Sequence, residues 1–118
     1  MYARDLTGAL MLKKLMGVVL FVALLIWLAC HFVGDFAFQS TWMSIEKGKS
    51  WEVNFYHCAT YTAVFILFAH SSILATAILF GTHFVVDPLK ARYKVIEPIW
   101  VDQLLHILTI VLILVFRL

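Results

Sequence analysis

The segment "LACHFVGDFAFQS", from Leu28 to Ser40, closes an apolar stretch that is long enough to cross a membrane. It carries a histidine, His31, and four residues later an aspartate, Asp35. Residues four apart lie on the same side of an α-helix. A pair of ionisable residues at the end of an apolar helix predicts that other polar groups lie beside it.

The composition sets the class of protein. Of the 118 residues, 64% are hydrophobic and 14% are charged, and the mean hydropathy is +0.96. A soluble domain of this length cannot bury that much apolar surface. We therefore predict an all-α, multi-pass integral membrane protein whose partner is the lipid bilayer. A net charge of +2 is too small to suggest a nucleic-acid partner.

The chain has room for one compact domain, because each membrane-crossing helix needs about 20 apolar residues. We predict a polar N-terminal tail at residues 1–10 and a single domain at 11–118. That domain is predicted to be a four-transmembrane-helix bundle with helices at about 12–38, 52–70, 72–87 and 98–117. After the third helix, Asp87 is expected to cap a short interfacial helix that has Pro88 at its first position.

An up-down-up-down bundle places four helix ends at one membrane face. Those ends carry His57 and three pairs of residues spaced four apart, namely His31 with Asp35, His83 with Asp87, and Asp102 with His106. Each pair lies on one side of its helix. We therefore predict that these His and Asp motifs converge at one membrane face.

Imidazole nitrogen and carboxylate oxygen together suit zinc, iron or manganese, and we favour zinc. The predicted ligands are His31, Asp35, His57, His83, Asp87, Asp102 and His106. They exceed the four ligands of a structural zinc site, so they fit two ions, or one ion with supporting carboxylates. The aspartates Asp35, Asp87 and Asp102 are also candidates for activating water. Alternatively, each pair only forms a hydrogen bond that holds the helices together.

Other polar residues near these motifs are candidates for binding a substrate. They are Gln39, Lys90 and Arg92. The two basic residues could hold a phosphate, and the alternative is that they reach lipid headgroups. Lys47 and Lys49 are interpreted as headgroup contacts, and the tryptophans Trp42, Trp51 and Trp100 as interface anchors.

The motifs "HFVGDFAFQSTWM", "HFVVDPLKARY" and "DQLLH" together resemble an uncharacterised family of bacterial and phage integral membrane proteins, domain of unknown function 3307. The resemblance runs from His31 to His106. It implies a multi-pass protein of the bacterial inner membrane, and it implies no particular reaction. More loosely, the helical His-x-x-x-Asp pairs are similar to those of zinc hydrolases of the phospholipase C and P1 nuclease type, and of membrane-bound metal-dependent hydrolases.

Three functions are compatible with the sequence. The first is a membrane-embedded metal-dependent hydrolase acting on an interfacial substrate, such as an anionic lipid or phosphoester. The second is a metal-ion or proton carrier, which needs polar groups through the membrane depth or a homo-oligomer that builds a path. The third is a non-catalytic structural membrane protein.

Overall fold

The computed structural model describes residues 2–118, with side chains from Leu6 onward, and this part of the chain is helical without strands. The first helix is followed directly by a π-helical turn at Val33–Ala37. The α-helices are α1 at Tyr2–Phe32, α2 at Thr41–Glu46, α3 at Trp51–Ala69, α4 at Ile73–Ala91 and α5 at Ile99–Phe116. The predicted all-α fold class is confirmed.

The four longest helices pack as a ring in which α1 contacts α3, α3 contacts α4, α4 contacts α5, and α5 contacts α1. The buried apolar core of this ring includes Trp27, Tyr61, Phe65, Leu79 and Ile110. Gly34 permits the close approach of the π-helical turn to α3, because a Cβ atom there would lie 3.0 Å from Cδ2 and 3.2 Å from Cα of Tyr61. The π-helical turn at the end of α1 therefore packs against the middle of α3.

Serine caps fix where the inner helices begin. The Ser50 hydroxyl accepts a hydrogen bond from the backbone N–H of Val53, and the Ser72 hydroxyl accepts one from that of Ala75. His70 ends α3 in the left-handed conformation, with φ of 48°, so three residues separate α3 from α4. This short connection makes the two helices antiparallel neighbours.

The N-terminal segment differs from its prediction. Residues 1–10 were expected to form a polar tail, whereas the structure is helical from Tyr2 onward. This segment contains no proline and is rich in residues with high helix propensity. Extending an existing helix costs far less than nucleating a new one, so α1 reaches back to Tyr2.

The separate interfacial helix predicted at Pro88 is also wrong, because α4 continues through Pro88 to Ala91. Proline has no backbone N–H, so it leaves the carbonyl of Phe84, four residues earlier, without its helical partner. The fully buried side chain of Asn54 replaces that partner, since its Nδ2 donates to the Phe84 carbonyl at 3.2 Å. A side chain of α3 thus allows α4 to keep its direction.

Three helical segments of the described chain are long and apolar enough to cross a membrane: Leu6–Ala37, Ile73–Ala91 and Ile99–Phe116. The last two have 19 and 18 residues, or about 28 Å at about 1.5 Å per residue. This length matches a hydrocarbon core of about 30 Å. The structure is therefore consistent with a membrane protein.

Candidate metal centre

Four side chains from three helical elements meet between the π-helical turn, α3 and α4. They are Asp35 from the π-helical turn, His57 from α3, and His83 and Asp87 from α4. The Nε2 atoms of His57 and His83 lie 3.0 Å apart. Asp35 Oδ1 lies 3.4 and 3.5 Å from these two nitrogens, and Asp87 Oδ2 lies 3.2 and 3.5 Å from them.

A second group shares one member with the first. His106 Nε2 on α5 lies 3.5 Å from Asp87 Oδ1 and 3.5 Å from Asp102 Oδ1. The two oxygens of Asp87 therefore face different groups, with Oδ2 towards His57 and His83 and Oδ1 towards His106. Both the trio His57, His83 and Asp87 and the trio Asp87, Asp102 and His106 have donor atoms close enough to hold one ion.

The distances within these groups differ from those of ordinary hydrogen bonds. Most N–H···O bonds span about 2.7–3.2 Å, yet five of the six His-to-Asp distances are 3.4 or 3.5 Å. Donors held by one tetrahedral ion at about 2.0–2.1 Å lie about 3.3–3.4 Å apart. These longer distances are therefore compatible with donors arranged around an ion, whereas His57 lies within hydrogen-bond range of His83 at 3.0 Å and of Asp87 at 3.2 Å.

Two lysines reach the same carboxylates at short range. Lys47 Nζ lies 2.6 Å from Asp87 Oδ2 and 3.2 Å from His57 Nε2. Lys90 Nζ lies 2.7 Å from Asp102 Oδ2. Three carboxylates and two ammonium groups leave one net negative charge when the histidines are neutral. The cluster thus retains a charge that favours a further cation.

Gln103 connects α1 to the cluster. Its Nε2 donates to Asp35 Oδ2 at 2.9 Å and to Asp102 Oδ2 at 3.3 Å, which fixes its Oε1 as the acceptor that faces His31 Nε2 at 2.8 Å. His31 Nε2 therefore carries the hydrogen, and Nδ1 accepts from the Tyr61 hydroxyl at 3.0 Å. Both ring nitrogens of His31 are thus bonded to protein groups, and its predicted role as a metal ligand stays a prediction.

The cluster is closed to solvent and rigidly packed. Its three aspartates and four histidines are between 0% and 5% exposed. The rings of Tyr61 and His83 stack with centroids 3.9 Å apart, and those of His83 and His106 with centroids 4.1 Å apart. This stack fixes His83 in the middle of the bundle. A preorganised imidazole loses little freedom on binding an ion.

Several polar atoms of the cluster lack a hydrogen-bond partner within the described part of the chain. They are Asp102 Oδ1, His106 Nε2, and the Nδ1 atoms of His57 and His83. Buried polar groups are satisfied in the great majority of proteins. Two of these atoms, Asp102 Oδ1 and His106 Nε2, face one another across 3.5 Å. Both atoms are therefore available as ligands for a metal ion.

The predicted substrate contacts lie at different distances from the cluster. Lys90 contacts it directly through Asp102, whereas the guanidinium of Arg92 lies over the ring of Trp51, 4.7 Å from its centroid. Gln39 follows the π-helical turn and has a buried Oε1 without a partner in the described structure. None of these contacts tests a role in substrate binding, which stays a prediction.

Sequence reasoning missed three residues of the site: Lys47, Tyr61 and Gln103. Lys47 was assigned to lipid headgroups, and the other two received no role. One signal was present for Gln103, because it directly follows Asp102 in the quoted motif "DQLLH". For Lys47 the reason becomes visible only in the structure. A Cβ at the next residue, Gly48, would lie 2.8 Å from the Ala91 carbonyl oxygen, so this loop is held tightly against α4.

The comparisons with known proteins identify the family. The family model described as "Protein of unknown function (DUF3307)" matches residues 20–118. The chain therefore belongs to this family, and the resemblance inferred from its motifs is confirmed. Neither the curated proteins nor the solved structures contain a match to the chain. The looser similarity to metal-dependent hydrolases stays a hypothesis.

Proposed function

We propose that this protein is a membrane-embedded, metal-dependent hydrolase with a divalent ion, preferably zinc, held by Asp35, His57, His83 and Asp87. The observation that carries the proposal is the spacing of the donor atoms. The His-to-Asp distances of 3.4–3.5 Å are long for hydrogen bonds and match donors around a tetrahedral ion. Hydrogen bonds that only hold helices together would be shorter.

The neighbouring group offers a second position. Asp87 would bridge the two positions through its two oxygens, with His106 and Asp102 completing the second. Two-metal hydrolytic sites place their ions about 3.5–4 Å apart, a separation that a bridging carboxylate provides. The same proposal includes this second ion position, zinc as the preferred ion, and a bacterial or phage origin for the protein.

The membrane arrangement follows from the packing. We infer that α3 is a fourth crossing helix, because its 19 residues equal α4 in length and it packs between α1 and α4. Its polar side chains Asn54, His57 and Thr62 are buried inside the bundle, which leaves an apolar surface for lipid. The exposed tryptophans Trp42, Trp51 and Trp100 then mark the membrane face nearest the cluster.

The proposed reaction is hydrolysis of an ester or phosphoester at this face. A divalent ion in such a site lowers the pKa of a bound water to about 7. With an ion in the first position alone, Asp102 Oδ1, which has no hydrogen-bond partner among the described residues, would be the group available to accept a proton from water. Lys47 and Lys90 lie at the rim, with side chains 12% and 33% exposed. They favour an anionic substrate.

A carrier is less well supported than a hydrolase. Beyond the cluster, the core of the bundle continues as Trp27, Val64, Phe65, Ala75 and Ile113. These side chains offer neither a ligand nor a proton relay to an ion that has reached the cluster. The ionisable groups thus suit chemistry at one membrane face better than transport across the bilayer.

The first test is the metal content of detergent-purified protein, measured by elemental mass spectrometry on the wild type and His83→Ala. His70→Ala is the matched control, because His70 is exposed at the far end of α3. We expect a stoichiometric metal in the wild type and the control and its loss in His83→Ala, with all three monodisperse. A wild type that neither contains nor takes up zinc, iron or manganese would overturn the proposal.

The second test concerns the reaction. Zinc-loaded protein in vesicles of phosphatidylglycerol is expected to release water-soluble headgroup or fatty acid, and Asp102→Asn to lose this activity while retaining its fold. Metal binding without release from ester or phosphoester substrates would reject the hydrolase. Zinc flux into sealed vesicles under the same conditions would favour the carrier.

A further inference from the structure

We infer that the groove between α4 and α5 binds one acyl chain of an anionic phospholipid and brings its headgroup to the candidate metal centre. The inference rests on the proposed function and names its substrate class. The groove has a volume of about 360 Å³ and is lined by residues that include Gly81, Val85, Val86, Leu105, Leu108 and Leu112. It opens on the outer surface of the bundle.

The groove offers an acyl chain an apolar wall. Its two polar side chains satisfy their hydroxyls within their own helices, since Thr82 Oγ1 donates to the Ile78 carbonyl at 2.8 Å and Thr109 Oγ1 to the Leu105 carbonyl at 3.0 Å. Both α4 and α5 are candidate membrane spans, so this surface faces lipid. An acyl chain is the ligand with matching chemistry.

The groove leads directly to the site. Val86 lines the groove and directly precedes Asp87 on α4. Leu105 lines it and directly precedes His106 on α5. One turn beyond them, Lys90 and Asp102 join the two helices through an ion pair of 2.7 Å. An acyl chain that lies in the groove therefore ends next to the ion pair of Lys90 and Asp102.

The groove and the helical turn beyond it together span one leaflet. From Leu112 in the groove to Asp102, one turn beyond it, the helix rises about 15 Å at about 1.5 Å per residue, which is half of a hydrocarbon core of about 30 Å. A phospholipid of the leaflet at the cluster face would thus place its headgroup at the level of Lys90. The partly exposed ammonium of Lys90 (33%) complements a phosphate, which gives the site its preference for an anionic lipid.

Gly81 provides a variant that fills the groove. A Cβ at this position would meet nothing within 4 Å, so Gly81→Leu adds bulk without displacing the helix backbone. Gly81 also borders the separate groove between α3 and α4, which is lined by Ala77. Ala77→Leu fills only that other groove and is the matched control.

The experiment uses the full-length protein in vesicles of phosphatidylcholine that contain phosphatidylglycerol with a photoreactive diazirine in its acyl chain. We expect cross-links concentrated on residues 81–86 and 105–112. Gly81→Leu should remove the excess of cross-links at these residues, because its side chain fills the space that the acyl chain would occupy, whereas Ala77→Leu should leave them unchanged. In Lys90→Gln, labelled phosphatidylglycerol and labelled phosphatidylcholine should cross-link equally.

Cross-links spread evenly over the outward faces of all helices, or unaffected by Gly81→Leu, would overturn the inference. Because cross-linking is measured without hydrolysis and with or without zinc, its failure is separable from that of the proposed function. A protein that binds zinc but shows no selective cross-linking rejects the groove alone. Selective cross-linking in a protein that binds no metal rejects the hydrolase alone.

Discussion

The two ends of the helix bundle are packed by different chemistry. At one end, Asp35, His57, His83 and Asp87 are buried together, although each could be hydrated in an unfolded chain. At the other end, residues such as Trp27, Phe65, Ala75 and Ile113 form an apolar core. Burying ionisable groups costs free energy unless they are paired. The apolar end packs without this cost, so packing alone does not explain the ionisable groups at the polar end.

This difference supports the proposal that the polar end holds an ion. Two lysines balance two of its three carboxylates, and five of the six His-to-Asp distances are longer than most hydrogen bonds. Substitutions at the polar end should therefore change cation binding more than stability. Substitutions at the apolar end should do the reverse.

The largest effect is expected for Asp87→Asn, which removes the charge shared by both candidate ion positions. We expect zinc binding to be lost, because the amide offers neither the charge nor the two oxygens of the carboxylate. Isothermal titration calorimetry on detergent-purified protein measures this loss. Unchanged affinity in Asp87→Asn would show that the cluster does not bind zinc through its central carboxylate.

The apolar end supplies the converse variant, Leu79→Ala, at a side chain that is 1% exposed. Truncating a buried leucine to alanine lowers the free energy of unfolding by about 2–5 kcal/mol. We expect the melting temperature to fall by the same amount with and without zinc, and zinc stoichiometry to stay at the wild-type value. Loss of zinc binding in this variant would remove the distinction between the two ends.

Asn54 lies at the polar end, one turn before His57 on α3, and its side chain bonds to the backbone of α4. Asn54→Leu leaves the Phe84 carbonyl without a partner beside Pro88, and we expect a loss of about 1–3 kcal/mol in unfolding free energy. In the Pro88→Ala background the backbone N–H returns, so the same substitution should cost markedly less. Equal losses in both backgrounds, measured by denaturant unfolding, would contradict this account of the continuous α4.

The smallest effect is expected for Lys47→Met. Its ammonium lies 2.6 Å from Asp87 Oδ2 and competes with an incoming ion for this oxygen. We expect the variant to bind zinc about tenfold more tightly, or about 1.4 kcal/mol. Lys49→Met is the matched control, because the ammonium of Lys49 pairs with Glu46 on the surface. Weaker binding in Lys47→Met would mean that Lys47 supports the ion site.

The sequence was sufficient to predict the helical class and the family, because composition and the four-residue spacing of His and Asp are local properties. It did not predict that α4 passes through Pro88, since the compensating donor, Asn54, lies 30 residues away along the chain. The hydrogen bond between His31 and Gln103 could not be predicted for the same reason. The two residues lie 72 residues apart along the chain, and a ligand cannot be told from a supporting residue without that contact.

The extent of α1 shows a further limit of the sequence pattern. Hydropathy separates the polar residues 1–10 from the apolar stretch, but a helix can extend beyond the region that lipid covers. Polarity therefore predicts the environment of a segment better than its backbone conformation. The three short contacts of Lys47, Lys90 and Gln103 with carboxylates likewise depend on tertiary packing.

X-ray absorption spectroscopy at the zinc edge of the zinc-loaded protein tests the central claim most directly. The account predicts nitrogen and oxygen neighbours at about 2.0–2.1 Å, the outer-shell scattering of two imidazoles, and no sulfur at about 2.3 Å. This last point is informative because the buried thiol of Cys58 follows His57 directly. A zinc–sulfur shell, or zinc surrounded by oxygen without imidazole scattering, would contradict a site built on His57 and His83.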